Sequence, residues 1–311
     1  MSASSLIKKI IPPLTSSLHK GQLGKICIIG GCKEYTGAPF YAGISAQRVG
    51  ADLVTIICAE EAGVPIKCYS PELIVYPMIH LSDQQEGSEE FRKNCDSNFA
   101  SITPVLERND SIVIGPGAGR HPSMVDTMKR VISFAIRYQK PLVIDGDGLW
   151  VVTQNLSLIT SAQNVILTPN QMEFTRLWNA VTKEERKPNE LVSSGDVTII
   201  QKGMIDVIAK GETVTRVTEE GSLRRCGGQG DVVAGVMGVM NLWSTRTVMD
   251  MPSGVVAATA TSQIIRRAAS RAFAKEQRGM TAMSIVAELP HVLDTLLGVC
   301  YKHIRIESHQ V

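Results

Sequence analysis

The chain has 311 residues, 44% apolar and 20% charged, which suits a soluble protein able to bury a substantial core. Its formal net charge of +2 is too small to argue for nucleic acid or an acidic membrane surface, and no apolar run reaches the length of a membrane span. Seven scattered cysteines, odd in number and without a Cys-x-x-Cys pair, read as reduced intracellular thiols, and six histidines without ligand spacing argue against zinc.

The first acidic residue is Glu34, so the N-terminal stretch is basic, with Lys8, Lys9, Lys20, Lys25 and Lys33. It holds no Arg, and Ile10-Ile11-Pro12-Pro13-Leu14 predicts a short packed segment rather than a transit peptide. Lys25–Ile29 is the first predicted strand. It runs through glycines into Glu34-Tyr35-Thr36-Gly37-Ala38-Pro39 and a helix over Pro39–Val49, with Pro39 suited to a first turn. Strands follow at Leu53–Cys58 and Leu73–Tyr76. The polar Gln84–Asp96 predicts a loop, and Phe99–Arg108 a helix. Strand Ser111–Ile114 leads into Gly115-Pro116-Gly117-Ala118-Gly119-Arg120 and a helix over Pro122–Tyr138.

Strand Leu142–Ile144 ends at Asp145-Gly146-Asp147-Gly148. Two carboxylates at a strand end could help to hold Mg²⁺ through water. Asp147 could equally cap the short helix after Gly148, the structural role favoured for it. Asn155-Leu156-Ser157 fits a glycosylation acceptor, a chance match with no secretion signal in view. Strand Val165–Leu167 runs through Thr168-Pro169-Asn170 into a helix over Gln171–Trp178. There Asn170 and Glu173 have the spacing of a capping box. The charged Lys183–Ser194 predicts a surface loop with a short helix. Strand Val197–Ile200 precedes Gln201-Lys202-Gly203, and Asp206–Ala209 with Val214–Val217 predicts a hairpin around Gly211. Helices over Asp231–Trp243, Pro252–Arg271 and Thr281–Ile304 complete the chain. There is no repeat and no linker, so one domain over 1–311 is expected.

Several strands are continuous Val/Ile/Leu, the composition of strands buried on both faces. Their alternation with helices predicts a mostly parallel sheet covered by helices on both sides, an α/β/α sandwich. Ligands then belong outside the carboxyl ends of the strands.

The most informative stretch is Arg225-Cys226-Gly227-Gly228-Gln229-Gly230-Asp231, which opens an apolar helix. A glycine-rich turn at a helix N-terminus exposes unpaired N–H groups in the positive end of the macrodipole, an anion site. Asp231 on the first turn could accept a proton from a hydroxyl attacking phosphorus. On its own it could equally be an Asp after a flexible turn. Arg224 and Arg225 could neutralise phosphate charge, or be solvated surface residues.

The order of the segments adds to this. Tyr35-Thr36-Gly37-Ala38-Pro39, Gly115–Arg120, Asp145–Leu149, Leu167–Phe174, Gln201-Lys202-Gly203 with Asp206, and Arg225–Asp231 together resemble the NAD(P)H-hydrate dehydratase family of the ribokinase-like superfamily. The resemblance runs from about Lys20 to past Gly279. It implies the ribokinase-like three-layer fold, with Asp231 as catalytic base and substrate contact. It further implies hydrated-nicotinamide contacts at Gly117, Gly119 and Asn170, Gln171, Met172, Glu173, Phe174, Thr175 and Arg176. ATP contacts are implied at Lys202, Gly203, Met204, Ile205 and Asp206, and at Gly221, Ser222, Leu223, Arg224, Arg225, Cys226, Gly227, Gly228, Gln229 and Gly230. Lys202 could meet phosphate as a point charge, or be an exposed lysine in a turn. The family usually carries a larger apolar residue at Ala118. It also carries an Asp that Arg278–Ser284 lacks, which counts against a helix-capping or nucleotide-side role for that segment.

The implied reaction is ATP-dependent dehydration of the S form of hydrated NADH or NADPH (NADHX, NADPHX), giving the reduced cofactor, ADP and phosphate. Mg²⁺ is the implied cofactor and ATP the co-substrate. A vitamin or sugar-alcohol kinase of the same fold is the alternative. A catalytically silent relative would have been free to lose Asp231. At 311 residues the dehydratase step alone is expected, with a separate epimerase supplying the other hydrate epimer. A homo-oligomer is compatible with the sequence. The expected compartment is the cytoplasm, and the basic N-terminus leaves mitochondrial import open.

Overall fold

The computed structural model describes residues 3–160, 162–183 and 197–298. A nine-stranded sheet has the order β3-β2-β1-β4-β5-β6-β7-β8-β9. The strands are β1 (Lys25–Ile29), β2 (Leu53–Ala59), β3 (Ile74–Ile79), β4 (Ser111–Ile114), β5 (Leu142–Ile144), β6 (Val165–Leu167), β7 (Val197–Gln201), β8 (Asp206–Lys210) and β9 (Thr213–Val217). All pairings from β3 to β7 are parallel, and β7-β8 and β8-β9 are antiparallel. All nine predicted strands are present.

The helices are α1 (Ala3–Ile10), α2 (Gly37–Arg48), α3 (Glu60–Tyr69), α4 (Glu89–Arg108), α5 (Pro122–Arg137), α6 (Gly146–Gln154), α7 (Gln171–Lys183), α8 (Gln229–Thr245), α9 (Ser253–Glu276) and α10 (Ala282–Leu297). Side chains alternate across a strand, and here both sets are buried. Ile26, Ile28, Val113, Val143 and Ile166 join a core with α1, α2, α3, α8, α9 and α10. Cys27, Ile29, Ile112, Ile114, Leu142 and Ile144 join a second core with α4, α5, α6 and α7. This is the expected three-layer sandwich.

Four expectations need correction. The packed N-terminal element is helix α1 over Ala3–Ile10, and the stretch after it runs outward to Leu14, which is exposed. Gln84–Asp96 is not all loop: α4 begins at Glu89, capped by Ser88, whose hydroxyl accepts the Phe91 N–H at 3.1 Å. Polar composition hid a helix that buries one face only. The segment α3 was missed altogether, although Glu60 and Glu61 stand in its first turn where the helix dipole favours them. Strand β3 runs on through Pro77 to Ile79, which it can do because it is an edge strand. The predicted loop at Lys183–Ser194 falls largely outside the described residues, as does the end of the helix predicted to Ile304.

Helix α8 is buried from Val232 to Ser244, which makes it a central element rather than an amphipathic cover. A Cβ on Gly235 would lie 1.9 Å from the Ala42 carbonyl oxygen, and one on Gly238 2.6 Å from Val113 Cγ2. These two glycines let α8 lie against α2 and β4. The strand order reverses at β1/β4, the place where parallel sheets open a ligand crevice. Among the described residues no helix is long and apolar enough to cross a membrane.

Candidate active site

The start of α8 lies beside the carboxyl ends of the central strands. Its N-cap, Gly228, has φ +85°, and a Cβ there would lie 2.6 Å from the Tyr41 ring. An L side chain is therefore excluded by conformation and by space. A Cβ on Gly227 would meet nothing within 4 Å, and one on Gly230 would meet only Lys202 Nζ, at 3.5 Å. The turn thus presents open backbone at the positive end of a long helix, and the nearest cation is already in place.

That cation is at the centre of a charge cluster. Lys202 Nζ donates to Asp145 Oδ1 at 2.9 Å, and the Thr168 hydroxyl donates to the same oxygen at 2.6 Å. The side chains of Lys202 and Asp145 are 19% and 6% exposed, so Lys202 is no free lysine in a turn. Burial works to lower the Lys202 pKa, but the Asp145 carboxylate, helped by Glu173 and Asp231, outweighs it and holds the ammonium above its ordinary value. Asp231 responds in the other sense. Burial, and then the like charge of Asp145, push its carboxyl up to about 7, against the pull of Lys202. Burial also raises Glu173, opposed by the Asn170 N–H and by Lys202. Asp145, Glu173 and Asp231 thus share one ammonium group.

The Asn170 capping box is formed. Asn170 Oδ1 accepts the N–H groups of Met172 and Glu173 at 2.9 and 3.0 Å, and Glu173 Oε2 accepts the Asn170 N–H at 2.8 Å. The box holds the first turn of α7 beside Lys202, which pairs with Asn170 in an isolated parallel bridge. Gln171 accepts from Gln201 at 2.6 Å, and the Phe174 ring packs tilted against Trp178 with centroids 6.1 Å apart. Met172, Thr175 and Arg176 are exposed, and the Thr175 hydroxyl donates to the Gln171 carbonyl of its own helix.

The 203–206 turn and the 221–225 segment form a second wall. The Asp206 carboxylate accepts from Arg266 Nε and Nη2 at 3.0 and 2.8 Å, from the Ser262 hydroxyl at 2.6 Å and from the Gly203 N–H at 2.9 Å. Burial opposes its ionisation, yet these partners hold its pKa below the ordinary range. Its oxygens are saturated within the protein, so the side chain shapes the turn rather than reaching outward. Arg266 also donates to the carbonyls of Gly203, Met204 and Glu219, each at 2.8 Å. Met204 and Leu223 stand 88% and 90% exposed on this wall, with Ile205 partly so. Arg225 reaches the Gly203 carbonyl at 3.4 Å, and Arg224 donates to the Met280 carbonyl at 2.8 Å. Ser222 bonds locally to Arg224, Gly221 packs on Arg266, and Cys226 and Gln229 are half-buried in the turn.

Gly117 and Gly119 have φ +59° and +72°. A Cβ on Gly117 would meet the Tyr35 carbonyl oxygen at 2.6 Å, so chain packing by itself requires a glycine there. Asp147 does not cap α6. Its carboxylate accepts the Gly119 N–H at 2.9 Å and pairs with Arg120. The segment Arg278–Ser284 does cap a helix: Thr281 and Ser284 form a capping box at the start of α10, with no Asp needed. Sequence reasoning missed Thr168, Tyr41 and Arg266. Thr168 lay inside a quoted motif. Tyr41 and Arg266 carry no local signal, since their partners are distant in sequence.

A model of the NAD(P)H-hydrate dehydratase family matches residues 26–291. The chain is 41% identical over 296 residues to the ATP-dependent (S)-NAD(P)H-hydrate dehydratase of Mus musculus, covering 91% of this chain and 82% of that protein. It is 40% identical over 313 residues to the protein of that name from Batrachochytrium dendrobatidis, covering 95% and 98%. Among solved structures it resembles the ADP/ATP-dependent NAD(P)H-hydrate dehydratase of Bacillus subtilis co-crystallized with ATP/Mg²⁺. That likeness has TM-score 0.65 at 20% identity, covers 94% of this chain and 97% of the other, and speaks to the fold. The chain belongs to the NAD(P)H-hydrate dehydratase family.

Proposed function

We propose that the chain dehydrates the S form of NAD(P)H hydrate at the expense of ATP, giving NAD(P)H, ADP and phosphate. The observation that carries this reading is Asp231, set on the first turn of α8 beside open glycine backbone, with its carboxyl at about 7. A general base works best when its pKa lies near the working pH. Asp231 takes the proton of the substrate hydroxyl as that oxygen bonds to the γ-phosphorus. The bond from that phosphorus to the β–γ bridging oxygen breaks, and ADP leaves. The backbone N–H groups of Gly228 and Gly230, with Lys202, stabilise charge on the group in transfer. Phosphate leaves far more readily than hydroxide. The ring-nitrogen lone pair expels it, and loss of a ring proton restores the dihydropyridine.

The nucleotide lies along the wall of Lys202–Asp206 and Gly221–Gly230, where Met204, Ile205 and Leu223 offer apolar contact to a base. The hydrated nicotinamide faces Gly117, Gly119 and the Asn170–Arg176 turn. Among the described residues no group of three or more His, Cys, Asp or Glu side chains is arranged to hold a metal ion. The described residues therefore offer no closed cage. Mg²⁺ usually keeps its waters and phosphate oxygens, and Asp145 fits as a water-bridged neighbour. Bound there, the ion would neutralise phosphate charge. The six described cysteines are free thiols, which suits a cytoplasmic setting.

The test is to mix the purified chain with hydrated NADH, ATP and Mg²⁺. Reduced-nicotinamide absorbance should return with one ADP and one phosphate per turnover. Accumulation of a stable phosphorylated hydrate would instead support a kinase and overturn the reading.

A further inference from the structure

Arg120 follows the Gly117–Gly119 turn and has no role in the chemistry above. Its side chain is 52% exposed, yet it is held on two sides. Nε pairs with Asp147 Oδ1 at 3.3 Å, and the guanidinium lies 4.8 Å from the centroid of the Trp150 ring. Asp147 is itself fixed by the Gly119 N–H at 2.9 Å. The guanidinium is thus oriented through Nε and one face. Among the described residues no oxygen accepts from its Nη1 or Nη2. An arginine held in this way has lost most of its conformational freedom before any ligand arrives, and keeps its paired donors for a planar or tetrahedral anion. The turn that carries Arg120 begins at Gly115, where a Cβ would lie 1.9 Å from the Asp145 carbonyl oxygen, and Asp145 pairs with Lys202 at 2.9 Å, so the arm adjoins the charge cluster.

We infer that Arg120 is a substrate-binding residue that holds phosphate oxygens of the dinucleotide, away from the ring that reacts. This rests on the function proposed above. Two parts of the substrate carry such oxygens: the pyrophosphate, common to both hydrates, and the 2′-phosphate, present only on the NADPH form. The salt bridge to Asp147 lowers the arm's net charge but leaves its outer donors free. Asp147 stays anchored to Gly119 when the arginine is removed.

The test compares wild type, Arg120→Ala and Arg120→Lys with hydrated NADH and hydrated NADPH, reading kcat and KM separately. Arg120→Ala should raise KM roughly ten- to a hundred-fold with kcat and Tm little changed, as for loss of a charge-assisted hydrogen bond. Arg120→Lys should recover only part, because the charge survives and the fork does not. Equal loss for both substrates assigns the pyrophosphate, and loss confined to the NADPH form assigns the 2′-phosphate. An unchanged KM for both, or a fall in Tm and kcat alone, would overturn the inference and make Arg120 a structural brace. The Kd values of NADH and NADPH for the same three proteins read the arm without turnover. A wild-type chain that binds them through Arg120 but dehydrates nothing would sink the reaction and leave the arm standing.

Discussion

Two buried carboxylate–cation pairs stand a few residues apart in sequence, and they behave in opposite ways. Asp206 and Arg266 are each 11% exposed at the side chain, and every strong donor and acceptor between them is matched. The arginine donates five times, to Asp206 and to three carbonyls. The result is a carboxylate held below its ordinary pKa and a turn locked to α9. Lys202 and Asp145 are also paired, at 2.9 Å, but Glu173 and Asp231 crowd the same ammonium. Burial, and then the like charge of Asp145 with a single ammonium to offset it, push Asp231 up to about 7. A saturated pair builds scaffold. A cluster short of positive charge leaves one group ready to take a proton.

The sharpest way to break this contrast is at Asp231 and Arg266. Asp231→Asn should lower kcat by about a thousand-fold or more, since it removes the proton acceptor while leaving the glycine turn in place. ATP affinity, read by calorimetry, should change little. Arg266→Ala should do the reverse, unfolding at lower denaturant with a loss of roughly 3 kcal/mol, because it strands a buried charge. Arg266→Lys should not restore it, as a single ammonium cannot replace five directed donors.

The pairs also differ in how they respond to pH. Asp231 has a folded pKa of about 7 against an ordinary value of 3.8, so its protonated form favours the folded state. That contribution is complete below pH 4, fades as pH rises, and is gone above 7. Asp231→Asn should therefore match wild type in acid and exceed it above pH 7, by a few kcal/mol at most. Asp206 has a lowered pKa, and the sign is opposite. Its stabilisation is present above the ordinary carboxylate range and is lost as pH falls through its folded value. Replacing it should hurt stability most at neutral pH.

Asp145→Asn sharpens the contrast from a third side. Removing its like charge, and freeing Lys202, should move the acid limb of kcat/KM to lower pH. The smallest expected effect is at Thr281. Its capping box at α10 should contribute about 1 kcal/mol, so Thr281→Ala should lower Tm by only a few degrees without touching the pH profile.

The scaffold half of this contrast was the harder one to read in the sequence. The central strands are legible because they are short apolar runs, and β8 and β9 because they alternate around the Gly211 turn. Helices α3 and the start of α4 are not, because their cores are small and their faces polar. Asp231 and the glycine turn are legible because local sequence alone makes an anion site at a helix start. Arg266 is not, because it meets Asp206 only through the crossing of α9 with the β7–β8 turn, 60 residues away. The segment Lys202–Asp206 stands out in sequence as one motif, yet the structure divides it. Lys202 joins the crowded cluster, and Asp206 joins the saturated clamp.

Direct titration of Asp231 is the most pointed check. Carboxyl ¹³C NMR of the ligand-free chain, with the resonance assigned by its absence in Asp231→Asn, should give a midpoint near 7. A midpoint near 4 would show a carboxylate with ordinary charge balance, and the division between a saturated pair and a crowded one would not hold.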